Sequence, residues 1–401
     1  MRVLQFTPRI AIPPSDGGRV AMLRIATSLA EAGAEVEVFS LNPLRQRVEA
    51  AEARQAYAPI AFDAVAIDTS AHFSALTRSL LMHAPYLVTR FFSSRAEAAL
   101  AATLQRSRFD IVQVESPFLL PYLPQIRAST DAAVVLRSLN VEFRIWQRLA
   151  DHERNVARRI AFGAIARSLR RYEIERANDC DALIPITESD ATQFRALGCR
   201  VPIHVAPASI DPSALRSRIG LPSSIGFLAS LDYRPNQEAA LWICDELAGR
   251  LTSGVLHLAG SRAPAWLQQR IIDAGIDFRG EVPSAAEFIG GMQVMIAPIF
   301  SGGGMRIKIL EAMAAARPVV ATTIGAEGLD VVNGANIVIA DDPETFAAAV
   351  EGLLLDPARA ARIGLAGRNL VESRYSSRAI GTSLLRFYEE LTKGRGVLRR
   401  H

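Results

Sequence analysis

The sequence reads VMIAPIFSGGGMRIKILEAMA at residues 294–314, and this stretch decides the fold. Four apolar residues typical of a buried strand are followed by a glycine-rich turn and then by an apolar run with helical spacing. A strand that leads through glycines into a helix is the unit of a doubly wound α/β sheet, which binds ligands beyond the carboxyl ends of its strands. The stretch therefore predicts a parallel sheet and an anion-binding site at the start of the helix.

The glycines and cations of this stretch suit phosphate groups. Gly302, Gly303 and Gly304 allow the backbone to approach an anion closely and to offer N–H donors. Arg306 and Lys308 fall in the first helical turn, where a cation opposes the helix dipole unless an anion neutralises both. Lys308 is one of two lysines among 45 basic residues, so arginine is the habitual cation of this chain. A flexible turn with two solvated cations is the alternative interpretation.

Glu311 lies one helical turn after Lys308 in an otherwise apolar patch. A carboxylate at this place can accept hydrogen bonds from both ribose hydroxyls, as acidic residues do in nucleotide sites. The alternative is a structural glutamate paired with Arg306 or Lys308.

Short apolar runs alternate with longer helical patterns along the whole chain, which indicates parallel sheets covered by helices. Strands are predicted near residues 2–6, 35–40, 110–115, 133–138 and 182–186, and in a second series near 225–231, 255–260, 276–279, 293–297, 318–321 and 336–340. Turn residues without an apolar period separate the two series at residues 207–223. We predict two doubly wound domains, residues 1–210 and 211–375, and a C-terminal helix in residues 376–401 that can cross back to the first domain.

Composition restricts the class of protein. The chain has 401 residues, of which 50% are hydrophobic and 21% charged, as in globular proteins. Its first residues predict a strand rather than a secretion signal, and no apolar run approaches the roughly 20 residues that span a bilayer. Three cysteines are too few and too far apart for a disulfide framework or a zinc site. We therefore expect a cytoplasmic protein.

The formal charge of +4 lies in the first half of the chain. Residues 144–176 form an arginine-rich helical stretch with interleaved apolar positions, a pattern that permits peripheral contact with an anionic membrane at its inner face. The alternative is an ordinary solvated helix face whose arginines pair with neighbouring carboxylates. No recognition motif accompanies the charge, so we expect no nucleic-acid partner.

Taken together, the motifs resemble the signature of retaining GT-B glycosyltransferases of family 4, also called glycosyl transferases group 1. The likeness extends along nearly the whole chain and rests on the order and spacing of the motifs. They are Gly17-Gly18, NVE at 140–142, LDYRPN at 231–236, GEV at 280–282, the glycine-cation-Glu311 block, RPVVAT at 317–322 and GAEGL at 325–329.

The resemblance implies a GT-B architecture, with two Rossmann-like doubly wound domains facing a central cleft. It implies transfer of a sugar from a nucleotide-diphosphate donor to an acceptor with retention of configuration. Two fixed cations and the N–H dipoles of a helix start would stabilise the leaving diphosphate, so we expect no divalent metal and no other cofactor. An envelope glycan or lipid-linked saccharide is the expected acceptor.

The resemblance also implies roles for individual residues. The donor diphosphate would bind Arg306 and Lys308, with ribose on Glu311. Gly280 and Val282 would lie near the base, and Ser230 would complete the donor site. In the first domain, Gly17 and Gly18 would bring a helix to the diphosphate, and Asn140 and Glu142 would line the acceptor side.

This chain departs from the family pattern at several positions. Gly303 stands where the family often has the first of two glutamates, and Ser230 where it often has a cation. Asn236 replaces a later lysine, and Leu139 a histidine. The basic pair at 306 and 308 must then bind more of the diphosphate by itself.

Two other activities fit part of the pattern. A non-hydrolysing sugar-nucleotide epimerase would need the same diphosphate site, although Gly303 and Leu139 remove acid-base groups that it requires. A catalytically silent binding protein would explain the missing glutamate, but not the retained cations. Asp179-Cys180-Asp181 resembles a metal signature, yet it precedes a strand, and His257 lies within an apolar strand pattern, so neither predicts a metal site.

Overall fold

The computed structural model describes residues 1–13, 17–70, 84–153, 155–215, 221–301 and 305–398. Gly302, Gly303 and Gly304 lie outside the described residues. The chain divides into two compact units, one formed by Met1–Ala208 together with the residues from Ile380 onward, the other by Ser209–Ala379.

The first unit is built on a parallel sheet that has six strands among the described residues. The strands are β1 (Arg2–Thr7), β2 (Glu35–Pro43), β3 (Ala61–Ile67), β4 (Ile111–Val114), β5 (Ala133–Ser138) and β6 (Ala182–Pro185). Their order across the sheet is β3-β2-β1-β4-β5-β6.

Helices connect these strands and cover both faces of the sheet. They span Gly17–Glu31, Ala50–Tyr57, Tyr86–Thr89, Ser94–Arg106, Leu123–Ser129, Glu142–His152, Val156–Ala177 and Glu188–Ala196, with short 3₁₀ turns at Leu44–Gln46 and Pro117–Tyr122. Leu4 and Phe6 of β1 pack into one apolar cluster and Val3 into another. Burial on both faces explains why the strands read as continuous apolar runs.

The second unit repeats this arrangement. Its described strands are β7 (Ser224–Leu228), β8 (Val255–Ala259), β9 (Asp277–Gly280), β10 (Val294–Ala297), β11 (Val319–Ala321) and β12 (Val338–Ile339). They are ordered β12-β11-β10-β7-β8-β9 and are also parallel.

The helices of this unit span Arg234–Trp242, Ala265–Asp273, Ala285–Gly291, Ile307–Ala314, Pro343–Leu355 and Pro357–Leu370. Short 3₁₀ turns lie at Pro212–Ala214 and Ala248–Arg250, and π turns at Ile243–Leu247 and Val371–Tyr375.

Each sheet reverses its strand order once, between β1 and β4 in the first unit and between β7 and β10 in the second. At such a point the following helices leave on opposite faces, so a crevice opens beyond the carboxyl ends of the two strands. The loops after β1, β4, β7 and β10 are therefore where ligand-binding residues are expected.

The helix Ser377–Leu398 belongs to the first unit from Ile380 onward. Ile380, Leu384 and Tyr388 lie in the cluster that covers one face of the first sheet, and the Tyr388 hydroxyl donates to Oε1 of Gln113. A Cβ on Gly381 would lie 2.0 Å from the carbonyl oxygen of Ser28, so only glycine allows this close packing.

Strand β3 is the main difference from the predicted strands. Its residues alternate between buried and partly exposed positions, and they include Asp63 and three alanines. An edge strand does not need the continuous apolar run of a central strand, so its sequence signal is weak.

The arginine-rich helix Val156–Ala177 has features of both sequence interpretations. Arg171 pairs with Glu175 and Arg176 with Asp179, as on a solvated face. Yet Val156 and Ile160 are 58% and 63% exposed. Membrane contact through this helix stays a prediction. No helix in the described part of the chain is long and apolar enough to cross a bilayer.

Candidate active site

Two loops flank the reversal point of the second sheet. The loop after β10 leads through Ser301 to Arg306 and to the helix that begins at Ile307. The loop after β7 carries Ser230 and leads to the helix Arg234–Trp242. The sequence-predicted cations and Ser230 therefore lie at the carboxyl edge where this fold binds ligands.

Arg306 occupies the N-cap position of the helix Ile307–Ala314. Its Nη2 donates to the carbonyl oxygen of Ser301 at 3.3 Å, and the residue is half-buried. A guanidinium at a helix start opposes the local dipole, which favours an anion beside it.

Lys308 joins the two loops. Its Nζ donates to Oδ1 of Asn236 at 2.7 Å and lies 4.9 Å from the ring centroid of Phe227, a buried residue of β7. Asn236 in turn donates from Nδ2 to the carbonyl oxygen of Ser230 at 2.8 Å. The ammonium is thus held by one neutral acceptor and one aromatic face.

Burial, and then the neighbouring positive charge of Arg306, lowers the pKa of Lys308 to about 7, while Glu311 acts in the opposite direction. Both leading causes penalise the ammonium form. A bound anion would offset this penalty, because its negative charge favours the ammonium form.

Glu311 is half-buried in the helix Ile307–Ala314, one turn beyond Lys308. Its negative charge raises the pKa of Lys308, so its carboxylate and the ammonium influence each other. This interaction fits the structural-glutamate interpretation. The ribose contact stays a prediction and is compatible with this interaction, since a carboxylate has two oxygens and about four acceptor sites.

Arg262 is a cation at this edge that sequence reasoning missed. Its Nη2 donates to Oγ of Ser230 at 2.9 Å, and its Nε lies 3.2 Å from Oδ2 of Asp232. Ser230 Oγ also donates to Asp232 Oδ1 at 2.8 Å and lies 3.3 Å from Oγ of Ser261. A cation therefore reaches the Ser230 position from the neighbouring loop after β8.

The backbone of Arg262 has φ of +54°, in the left-handed region that a non-glycine residue rarely adopts. Uncommon backbone conformations of this kind are concentrated at functional sites. The sequence signal was slight: an arginine two residues after Gly260, which itself follows β8.

Gly280 ends β9 at the same edge of the sheet, where its carbonyl oxygen accepts a 2.7 Å hydrogen bond from the N–H of Gly260. Val282 is half-buried and lines a groove of about 290 Å³ with Phe288 and Met292. That groove also includes Leu221, which precedes β7, so it extends toward the amino edge. A base near Val282 stays a prediction.

In the first unit, a cavity of about 440 Å³ lies at the corresponding reversal point. Its lining includes Gly18, Asn140 and Glu142, three of the residues predicted from sequence. Gly17 is the first residue of the helix Gly17–Glu31 and is exposed. Among the described residues, no heavy atom lies within 4 Å of a Cβ built on Gly17.

Glu142 begins a helix after β5 beside a second buried carboxyl group, that of Glu173. Glu173 accepts hydrogen bonds from the backbone N–H groups of Glu142 and Phe143, at 3.2 and 3.4 Å. Burial raises the pKa of Glu142 to about 7, although a hydrogen bond from Asn140 acts against this. Burial, and then repulsion by Glu142, raises the pKa of Glu173 to about 8. The cavity therefore holds a carboxyl group that titrates near neutral pH.

The two misleading motifs have structural partners. Asp181 accepts from Nη1 of Arg127 and from the backbone N–H of Val134, both at 2.7 Å, at the amino end of β6. His257 is buried in β8 with Nδ1 2.7 Å from Oδ2 of Asp277. No group of three or more metal-ligating side chains occurs among the described residues.

Comparisons with known proteins agree with this architecture. Residues 222–356 match the family model described as Glycosyl transferases group 1. None of the curated protein sequences matches the chain. Among solved structures, HepE of Anabaena in complex with UDP has a TM-score of 0.70 at 15% identity and covers 97% of this chain and 100% of its own.

Two further structures are similar over the same length. Sucrose-phosphate synthase from Thermosynechococcus elongatus has a TM-score of 0.68 at 16% identity, covering 98% of this chain and 100% of its own. TarM of S. aureus in complex with UDP has a TM-score of 0.67 at 13% identity, covering 97% and 100%. The predicted α/β class with two Rossmann-like domains is confirmed. The chain has the GT-B fold, and its residues 222–356 are similar to the glycosyl transferases group 1 family.

Proposed function

We propose that this protein transfers a glycosyl group from a nucleotide-diphosphate sugar to an acceptor with retention of configuration. The observation that carries the proposal is the environment of Lys308, whose ammonium sits half-buried beside Arg306 at the reversal point of the second sheet. Such a pair of cations is stabilised when a diphosphate binds between them.

The reaction benefits from these charges most in its transition state. Cleavage of the anomeric bond moves negative charge onto the leaving diphosphate, and fixed cations with helix N–H groups stabilise that charge more than they stabilise the ground state. We assign the diphosphate to Arg306 and Lys308, with the carboxylate of Glu311 accepting from the ribose hydroxyls. Arg262 adds a third cation beside Ser230.

We infer that no divalent metal takes part, because the side-chain cations and the helix start supply the charge that a metal ion would otherwise provide. Transfer measured in excess EDTA should then stay within about twofold of its rate with Mg²⁺ or Mn²⁺. A loss of more than about tenfold that either metal restores would contradict this inference.

The acceptor side is assigned to the cavity of the first unit, with Asn140 and Glu142 in its lining. Glu142 titrates near neutral pH, so its carboxyl group can accept or donate a hydrogen bond to an acceptor hydroxyl. We propose that the acceptor is a saccharide, an envelope or lipid-linked glycan, and that this enzyme acts in the cytoplasm.

Two measurements test the activity. Titration of UDP, GDP and ADP into the protein identifies the base, and UDP is the first choice because HepE and TarM were solved with it. The matching nucleotide sugar is then incubated alone and with a panel of saccharides, and NMR reads the anomeric configuration of the product. Transfer only with acceptor, with retention, is expected.

The other outcomes separate the alternatives. Conversion of the nucleotide sugar without acceptor would indicate an epimerase. Tight nucleotide binding without turnover on any acceptor would indicate a binding protein. If none of the nucleotides bound, the assignment of Arg306 and Lys308 would be wrong.

A further inference from the structure

The cavity of the first unit contains more positive charge than a neutral saccharide requires. Arg9, Arg45 and Arg90 all line it. They come from different segments: Arg9 follows β1, Arg45 lies in the 3₁₀ turn after β2, and Arg90 follows the helix Tyr86–Thr89. Three arginines thus converge on one space of about 440 Å³.

The carboxylates that line the cavity do not cancel the charge of Arg45 and Arg90. Glu115 is fully buried, and its oxygens accept from Nη1 of Arg137 at 2.9 Å and from Nε2 of Gln5 at 2.8 Å. Arg137 is itself buried and supplies the matching positive charge. Glu142 is partly protonated near neutral pH.

Two of the arginines lack a carboxylate partner within the described residues. Arg90 donates from Nε and Nη2 to the carbonyl oxygen of Thr69, at 2.9 and 2.6 Å, and forms no ion pair with a described residue. Those two bonds fix the plane of the guanidinium and leave three of its five N–H groups for another acceptor. Arg45 is an exposed residue of the cavity lining and likewise forms no ion pair in the described part of the chain.

An aromatic pair completes the cavity wall. The rings of Phe91 and Phe118 stack with centroids 5.4 Å apart and planes 10° from parallel, and both residues line the cavity. Aromatic faces carry partial negative charge and attract the C–H groups of a sugar ring. The cavity therefore combines a surface for a sugar ring with donors for an anion.

We propose that the acceptor is an acidic saccharide whose carboxylate or phosphate group binds Arg90 and Arg45, while its sugar ring packs against Phe91 and Phe118. The guanidinium fork matches both kinds of anion, because each can accept two parallel N–H bonds. This inference rests on the proposed function, since it specifies the acceptor of that reaction.

The competing occupant is the donor itself, because Gly18 also lines the cavity and a diphosphate is an anion. The experiment therefore measures both ligands. UDP is titrated into the wild type and into the variants Arg45→Gln and Arg90→Gln. Glucose, glucuronic acid, glucose 6-phosphate and inorganic phosphate are then titrated in the presence of saturating UDP.

Arg108→Gln is the matched control, since Arg108 is an exposed arginine of the same unit that does not line the cavity. Wild type and control should bind glucuronic acid or glucose 6-phosphate at least tenfold more tightly than glucose or inorganic phosphate. The acidic sugar that binds more tightly shows whether the anionic group of the acceptor is a carboxylate or a phosphate. Arg45→Gln and Arg90→Gln should each weaken that binding about tenfold or more, with UDP affinity within twofold of wild type.

Several results would overturn the proposal. Glucose or inorganic phosphate could bind as tightly as the acidic sugars, or neither acidic sugar could bind. Binding of the acidic sugars could also be unchanged in both variants. Lower UDP affinity in the variants would assign the arginines to the donor and leave the proposed transferase intact. Loss of nucleotide binding by every protein, wild type included, would instead reject the proposed function. If Arg90→Gln lowered the melting temperature, Arg45→Gln alone would decide, because Arg45 has no partner in the described structure whose loss could affect folding.

Discussion

The ammonium of Lys308 and the amide oxygen of Asn236 lie 2.7 Å apart, although 72 positions separate the two residues in the sequence. The bond exists because β7 and β10 are neighbours in the sheet, so the loops that follow them meet. Asn236 stands where the resembled family often has a lysine. Here that position supplies an acceptor that orients one ammonium.

Lys308→Ala should lower transfer by about 100-fold or more, in the range known for loss of one group that stabilises a developing oxyanion. Lys393→Ala is the matched control, because it removes the only other lysine, an exposed residue of the C-terminal helix. Steady-state kinetics with a fixed acceptor measures the effect. Equal rates for the two variants would refute the role of Lys308.

Donor binding should depend on pH through Lys308. The pKa of its ammonium is lowered to about 7 in the free protein, and a bound diphosphate favours the charged form and raises it. Above pH 7, Lys308 must then take up a proton from solution when the donor binds, so the affinity for the donor should fall by up to about tenfold per pH unit. Titrations in buffers of different ionisation enthalpy should detect uptake of about one proton at pH 8.

Lys308→Arg provides the control for this dependence, since arginine stays protonated throughout the range. Its donor affinity should change little between pH 6 and 9. A pH slope that persists in the arginine variant would assign the titration to another group.

Arg262→Gln should weaken donor binding by about tenfold while the melting temperature changes by less than about 1 °C. The guanidinium lies at Ser230, and its side chain is 56% exposed, so its pair with Asp232 contributes little to stability. Arg250→Gln is a suitable comparison, because Arg250 also pairs with carboxylates but precedes β8, at the opposite edge of the sheet. Similar affinities for both variants would remove Arg262 from the site.

Gly17→Ala should separate stability from function. A methyl group there meets no described atom within 4 Å, and alanine favours a helix over glycine by up to about 1 kcal/mol. The variant should be at least as stable as wild type yet bind the donor more weakly, if the first helix approaches the diphosphate as the resemblance implies.

Gly163→Ala in the helix Val156–Ala177 is the control, since its added Cβ also meets no described atom within 4 Å. It should stabilise the protein without changing kinetics. Unaltered donor affinity in Gly17→Ala would contradict the assignment of Gly17.

The strands of the second unit, and the two cations that follow β10, could be predicted from the sequence alone. β10 is buried on both faces, so VMIA reads as an uninterrupted apolar run, and Arg306 and Lys308 follow it directly. β3, an edge strand with Asp63, lacks such a run and was missed. Arg262 was missed for another reason. It meets Ser230 only because β8 lies next to β7, and a contact 32 positions apart leaves no local pattern.

The helix Ser377–Leu398 determines when the first unit can finish folding. Ribosomes deliver the chain from its amino terminus, so Met1–Ala208 emerges long before Ile380, Leu384 and Tyr388 are available to cover its sheet. Until then, part of one apolar face of that sheet stays uncovered, and the amide oxygen of Gln113 lacks the hydroxyl of Tyr388. We expect nascent chains stopped before residue 380 to be sensitive to protease and to associate with chaperones, whereas the second unit can already fold.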